Sequence, residues 1–81
     1  MSIYVKSVEV FEFPKLEVTF DTDEKKIFDV SPYLDKGIFV ELQNKDYFQQ
    51  VKAINGTIEW PNGQDFCPDT LYEDSTPVLK R

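Results

Sequence analysis

The first thirty residues alternate between apolar and polar side chains in three runs that predict antiparallel strands over residues 3–13, 16–20 and 25–30. The alternation slips between Val10 and Phe11, which predicts a bulge or a local twist. The second run places three apolar side chains on one face: Leu16, Val18 and Phe20. Together the runs predict a three-stranded meander with one apolar and one polar face.

Helix signals follow the meander. Ser31 is a good N-cap and Gly37 a good stop, which predicts a short helical turn over residues 32–36. Asn44 is the expected N-cap of a second, main helix that begins at residue 45 and ends at residue 51 or 52. The apolar positions of that helix lie on one face, as a buried stripe requires: Tyr47, Phe48 and Val51.

A second hairpin is predicted around Asn55 and Gly56, which separate two β-prone segments at residues 52–54 and 57–60. Asn-Gly favours a type I′ turn because both central residues of that turn need positive φ. Residues 38–42, which precede the main helix, are compatible with either a strand or irregular packing. The hairpin gives the chain a second antiparallel element.

The last third of the chain alternates turns with short elements. Residues 61–63 predict a turn, residues 64–66 an extended return segment, and residues 68–72 a last helical turn. We therefore predict one α+β domain over residues 1–75 and a frayed C-terminal tail over residues 76–81. In this domain, a small antiparallel sheet packs against one main helix and short helical turns.

Size and composition fit a single globular domain. The chain has 81 residues, of which 41% are hydrophobic and 15% aromatic, enough bulk for one core. Its one cysteine, Cys67, excludes an intramolecular disulfide and suits a reducing compartment. The N-terminus lacks the pattern of a signal peptide and no apolar run is long enough to span a membrane. We expect a cytoplasmic protein with no membrane partner.

Negative charge is concentrated in the C-terminal third. The formal net charge is -6, and residues 53–79 contain no lysine or arginine. The acidic side chains of that segment are Glu59, Asp65, Asp69, Glu73 and Asp74. Such a surface repels phosphate backbones, so we expect no direct binding of nucleic acid. It suits either a basic protein partner or simple solubility.

The inventory of reactive side chains argues against an enzyme. The chain has no histidine, so no Cys–His or Ser–His pair is available. The sequence neighbours of Cys67 are acidic, which predicts a raised thiol pKa and a structural, buried role. Asp65, Asp69 and Glu73 offer carboxylate oxygens, but their spacing matches no calcium-loop pattern. We therefore predict no catalytic residues, no metal and no cofactor.

The segment Trp60-Pro61-Asn62-Gly63 admits two interpretations. Either Trp60 anchors the core and the next residues form a tight turn, or Trp60 and Asn62 present a recognition surface on that turn. With the neighbouring acidic positions, the segment gives a set of candidate protein-binding residues: Trp60, Asn62, Asp65, Asp69, Tyr72 and Glu73.

Several of these short segments, in this order and spacing, resemble a family of small bacterial domains known as domain of unknown function 2442. The segment 60–63 is one of them; the others are residues 5–8, 16–20, 28–32, 34, 36–37, 48, 56–58, 65, 68 and 71–72. The resemblance implies a compact α+β domain, in some members followed by a helix-turn-helix domain. It also implies that stand-alone members are encoded beside another small protein, as in toxin–antitoxin pairs. The 81 residues contain no helix-turn-helix pattern, so we do not expect them to regulate transcription directly.

These features predict a non-enzymatic protein-interaction module, the antitoxin-like or regulatory half of a small bacterial two-protein system. Its partner would be a co-encoded, basic protein, masked stoichiometrically by the acidic segment or by an exposed sheet edge. The alternative is a sensory or dimerisation domain of a transcriptional regulator that lacks its own DNA-binding domain. Self-association as a homo-oligomer is compatible with both.

Overall fold

Seven strands form two antiparallel sheets in the computed structural model, which describes residues 3–78. The first sheet has the order β1-β2-β3-β7 and the second the order β4-β5-β6. The strands are β1 (Val5–Glu12), β2 (Lys15–Phe20), β3 (Lys25–Asp29), β4 (Lys52–Ile54), β5 (Thr57–Glu59), β6 (Asp65–Phe66) and β7 (Thr76–Pro77). With two short α-helices and two 3₁₀ segments, the chain has the predicted α+β fold.

The predicted meander is confirmed as β1, β2 and β3. Leu16, Val18 and Phe20 on β2 have no exposed surface, so this strand supplies the centre of the core. The predicted irregularity is also present, because the register between β1 and β2 shifts between Val10 and Glu12. An extra residue at this point lets β1 bend at its C-terminal end.

The helical segments after the meander differ from the prediction. The first 3₁₀ turn spans Ser31–Tyr33, and Ser31 lies inside it rather than at the cap. Both the N–H and the hydroxyl of Ser31 donate to Asp29 Oδ1, at 2.9 and 2.7 Å. These hydrogen bonds hold the pKa of Asp29 below its ordinary value, the Ser31 N–H contributing most. The serine therefore stabilises the end of β3 instead of capping a helix.

The ambiguous residues 38–42 belong to a longer 3₁₀ helix, Gly37–Gln43. A 3₁₀ helix has three residues per turn, and the inward side chains, Phe39 and Leu42, are three apart. The same geometry leaves Ile38 and Val40 63% and 48% exposed. This segment uses a period of three, which neither a strand nor an α-helical pattern predicts.

The helix α1 spans Lys45–Phe48 and is shorter than the prediction, which ended at residue 51 or 52. Its cap is confirmed, because Asn44 Oδ1 accepts from the Tyr47 N–H at 3.1 Å. Phe48 is fully buried, and four residues after it the chain enters β4. The longer helix is α2 (Pro68–Asp74), two residues longer than its prediction.

The predicted Asn-Gly hairpin connects β4 and β5. Asn55 and Gly56 have φ of 52° and 80°, as a type I′ turn requires. The Gly56 carbonyl accepts from the Val5 N–H at 2.7 Å, which fastens the hairpin to the start of β1. A side chain at Gly56 would meet Tyr4, whose Cδ1 lies 2.5 Å from the ideal Cβ position. The turn therefore needs glycine for both its backbone and its packing.

Residues 76 and 77, predicted as the start of a frayed tail, form β7 beside β3. Lys26 is the register partner of Pro77, and the Val78 N–H donates to the Lys25 carbonyl at 3.2 Å. The open edge of β3 offers backbone partners, which an extended chain can use without any sequence signal. The rest of the predicted tail, residues 79–81, lies outside the described residues.

The core lies between the two sheets and α2. Its largest fully buried side chains are Trp60, Phe20, Phe28 and Phe48. Across residues 3–78, no helix has the length and apolar character that crossing a bilayer would require. The core thus joins the meander to the segment that carries the candidate residues.

Candidate functional site

Trp60 belongs to the core rather than to the surface. It is 1% exposed, and its Nε1–H donates to the Phe48 carbonyl at 2.9 Å. Its ring lies 5.8 Å from the ring of Phe48 and 6.1 Å from that of Phe66, centroid to centroid. This placement favours the first interpretation of the tryptophan, as an anchor that fixes the turn after it.

Asn62 enters a polar network that ties this turn to the longer 3₁₀ helix. Its backbone N–H donates to Tyr47 Oη at 2.8 Å, and its Nδ2 donates to the Glu41 carboxylate at 2.9 and 3.1 Å. The Tyr47 hydroxyl in turn donates to Gln64 Oε1 at 2.6 Å. Gln64 Nε2 donates to the Ile38 carbonyl at 2.8 Å and to Glu41 at 2.7 Å. The side chain of Asn62 is therefore already engaged within the chain.

Gln64 is the central member of this network and sequence reasoning did not single it out. It is 1% exposed, and both its amide oxygen and its amide nitrogen have partners. A buried amide with every partner satisfied fixes the elements around it. A lone glutamine after a turn carries no local sign of burial, so the sequence offers no signal for this role.

Tyr72 attaches α2 to the first sheet. Its hydroxyl donates to Glu24 Oε1 at 2.9 Å, and this hydrogen bond raises the pKa of Tyr72 above its ordinary value. Lys26 Nζ lies 3.7 Å from the centre of the Tyr72 ring and donates to the Tyr72 carbonyl at 2.8 Å. Lys26 is 9% exposed, so its charge is satisfied beneath the helix. Tyr72 therefore has a structural role, whereas Asp69 and Glu73 on the same helix are exposed.

Asp65 belongs to a charged row that crosses the second sheet. In the strand register Lys52 on β4 lies opposite Glu59 on β5, which in turn lies opposite Asp65 on β6. Opposed residues share a face, so one positive and two negative side chains stand side by side. Between residues 3 and 78, the single ion pair joins Lys6 to Asp23 at 2.6 Å. The row therefore holds no ion pair of its own within this range.

A shallow groove of about 270 Å³ lies against this row. It is lined by Gln50, Lys52, Ile54, Glu59, Trp60 and Pro61. Neither Lys52 nor Glu59 was among the candidates from the sequence. Their pairing was derivable, because a two-residue Asn-Gly turn already places residue 52 opposite residue 59.

The six candidates thus do not converge on one site. Trp60 is core, Asn62 is held in the polar network and Tyr72 supports α2. The acidic members, Asp65, Asp69 and Glu73, are exposed. No group of three or more potential metal ligands comes together in the part of the chain that the structure describes. What the geometry leaves available is an acidic surface and a charged groove.

Cys67 differs from its prediction in two respects. It is exposed rather than buried, and its pKa is lowered rather than raised. It occupies the position before α2. Its Sγ lies 3.2 Å from Thr70 Oγ1, and this hydrogen bond lowers the pKa of the thiol, outweighing the nearby Asp69 charge. The acidic sequence neighbours alone predicted a raised thiol pKa, because that prediction did not include the contact with Thr70 that the helical turn creates.

A comparison with models of protein families gives a match over nearly the whole chain. A model of a protein family described as "Protein of unknown function (DUF2442)" matches residues 5–77. A search of curated proteins and a search of solved structures found no match.

Proposed function

This chain belongs to the DUF2442 family of proteins of unknown function, and we propose that it is a non-enzymatic module that binds a basic protein. The observation that carries the proposal is an acidic surface on three successive elements, β5, β6 and α2. It consists of the half-buried Glu59 and the exposed Asp65, Asp69, Glu73 and Asp74. None of these carboxylates is in an ion pair with a residue of the described range.

Electrostatics favours a cationic occupant for this surface. Glu59 and Asp65 are directly opposed on neighbouring strands, and like charges in that position are destabilising. Asp69 and Glu73 are four residues apart on α2, where like charges also repel. Lysine or arginine side chains of a partner would relieve both repulsions and would steer the encounter.

In this proposal the chain is the antitoxin-like or regulatory half of a small bacterial two-protein system in the cytoplasm. The partner is a co-encoded basic protein, held by stoichiometric masking. The unpaired and exposed thiol of Cys67 supports a reducing compartment. Masking needs no catalytic group, only complementary charge and a rigid surface.

Association kinetics with the protein encoded by the neighbouring gene test the proposal. We expect amide replacement of Asp65, Asp69 and Glu73 together to slow association and to flatten its salt dependence, because exposed charges chiefly steer encounter. The matched control replaces three acids outside the surface: Glu9→Gln, Glu12→Gln and Asp35→Asn. Equal association rates for both triple variants, each with a normal thermal melt, would contradict the proposal.

A second candidate is a sensory domain that acts through a separate DNA-binding protein, and the groove on the second sheet favours it. This candidate requires that the chain alone leaves DNA unbound. Saturable, salt-dependent binding of the isolated protein to duplex DNA would contradict both candidates. A fluorescence titration at physiological salt measures this directly.

A further inference from the structure

We propose that the groove on the β4–β5 hairpin binds a free amino acid with an apolar side chain, as its zwitterion. The ammonium lies at Glu59 and the carboxylate at Lys52. This inference rests on the second candidate function, because it names the ligand that the sensory domain would bind. Binding of the ligand itself requires no protein partner. The groove residues, their register and their charges carry it.

The first step is the pairing of opposite charges on the floor of the groove. Lys52 and Glu59 are register partners and both line the groove. Cross-strand partners have Cβ atoms about 4.5–5.5 Å apart, close enough for an ion pair. The only ion pair within residues 3–78 lies elsewhere, between Lys6 and Asp23. Lys52 is exposed and Glu59 is half-buried, and neither side chain is in an ion pair within this range.

The second step is the match to a zwitterion. An α-amino acid carries its ammonium and its carboxylate on one carbon, so one small molecule can satisfy two neighbouring side chains of opposite sign. A ligand with a single charge would leave either Lys52 or Glu59 without a partner. Asp65 lies opposite Glu59 on the next strand and adds negative charge on that side. The charge order of the row therefore fixes which end of the ligand lies where.

The third step concerns size and polarity. Ile54 is 43% exposed and lines the groove together with Pro61, which gives an apolar side chain a surface to cover. The volume of about 270 Å³ lies just below the range of about 300–1,000 Å³ that is typical of small-molecule sites. It suits a single amino acid and is small for a nucleotide or a larger cofactor. Gln50 at the rim adds an amide that can donate or accept.

The experiment is an NMR titration of the isotope-labelled full chain with L-leucine, L-methionine and L-phenylalanine. We expect saturable shifts at Lys52, Ile54 and Glu59 for at least one of them. N-acetyl-L-leucine lacks the ammonium and L-leucinamide lacks the carboxylate, so each should bind at least about tenfold more weakly than leucine. No saturable shift at millimolar concentration for any of the three amino acids would overturn the proposal.

Variants of Lys52 and Glu59 distinguish the two proposed charge contacts from an effect of the net charge of the protein. Lys52→Met and Glu59→Gln should each weaken binding at least about tenfold, and Lys52→Arg should retain it. The controls Lys36→Met and Glu12→Gln remove the same charges from exposed positions outside the groove and should leave binding unchanged.

Two further outcomes would overturn the assignment. Equal weakening by the groove variants and the controls would mean that net charge, not the groove, governs binding. Tighter binding of a leucine-containing peptide than of free leucine would make the groove a peptide site. Every titration uses the isolated chain, so a negative result would not bear on the acidic-surface proposal. That proposal is tested separately, by the association kinetics with the partner protein.

Discussion

Replacement of Trp60 by alanine tests whether this tryptophan is a core anchor or a recognition residue. The side chain is 1% exposed and fills the space between Phe48 and Phe66. Truncation removes the ring and also the Nε1–H that donates to the Phe48 carbonyl. We therefore expect a large loss of stability without any partner present.

The magnitude follows from these two losses. Truncation of a buried aromatic residue to alanine costs about 3–5 kcal/mol. The Phe48 carbonyl still accepts from the Val51 N–H at 3.4 Å, so the lost hydrogen bond accounts for about 0.5–1.5 kcal/mol of this cost. A Trp60→Phe variant measures that part, because it keeps a ring but loses the donor. For a domain of this size, 1 kcal/mol shifts Tm by about 4–8 °C, so Trp60→Ala should lower Tm by about 12–40 °C.

Urea melts of the wild type, Trp60→Ala, Trp60→Phe and the exposed control Glu12→Gln measure these costs. Tyrosine fluorescence or circular dichroism must be the probe, because the variants lack the only tryptophan. The control should stay within about 0.5 kcal/mol of the wild type. A cost below about 1 kcal/mol for Trp60→Ala would refute the assignment of Trp60 to the core and would favour its interpretation as a recognition residue.

Three further substitutions test other contacts. Gln64→Leu should cost about 1–3 kcal/mol in a denaturant melt, because the buried Gln64 amide gives up its part-buried hydrogen bonds to Tyr47 and Ile38. Gly56→Ala should cost more than Gly63→Ala, since both have positive φ but only the first new Cβ meets a side chain within 4 Å. Thr70→Val should raise the pKa of Cys67, so the pH midpoint of its reaction with a thiol reagent moves upward; an unchanged midpoint contradicts the hydrogen-bond assignment.

The elements that could be predicted from the sequence are those whose cause is local. The Asn55-Gly56 turn needs only its own backbone conformation, and the Asn44 cap needs only the N–H three residues later. The buried face of β2 follows from alternation alone. For each of these, the deciding contact lies within a few residues along the chain, where the sequence pattern is informative.

The elements that could not be predicted depend on contacts between distant segments. The buried position of Gln64 is stabilised by Ile38 and Glu41, more than twenty residues earlier. The strand at 76–77 exists because the edge of β3 is open, and the pKa of Cys67 is set by a helical turn rather than by sequence neighbours. The role of Asn62 was missed for the same reason, because its partner Glu41 belongs to another element.

The groove and the acidic surface share the carboxylate of Glu59, which lies opposite that of Asp65. Glu59 lines the groove and lies opposite Asp65, so an ammonium in the groove would stand beside the acidic surface. In water-like surroundings two unit charges at about 4 Å interact by about 1 kcal/mol, or about a fivefold change in affinity. The carboxylate of the same ligand offsets part of this, so about fivefold is the upper limit of the coupling. Because coupling is reciprocal, leucine should weaken partner binding by no more than this factor, and the partner should weaken leucine binding equally.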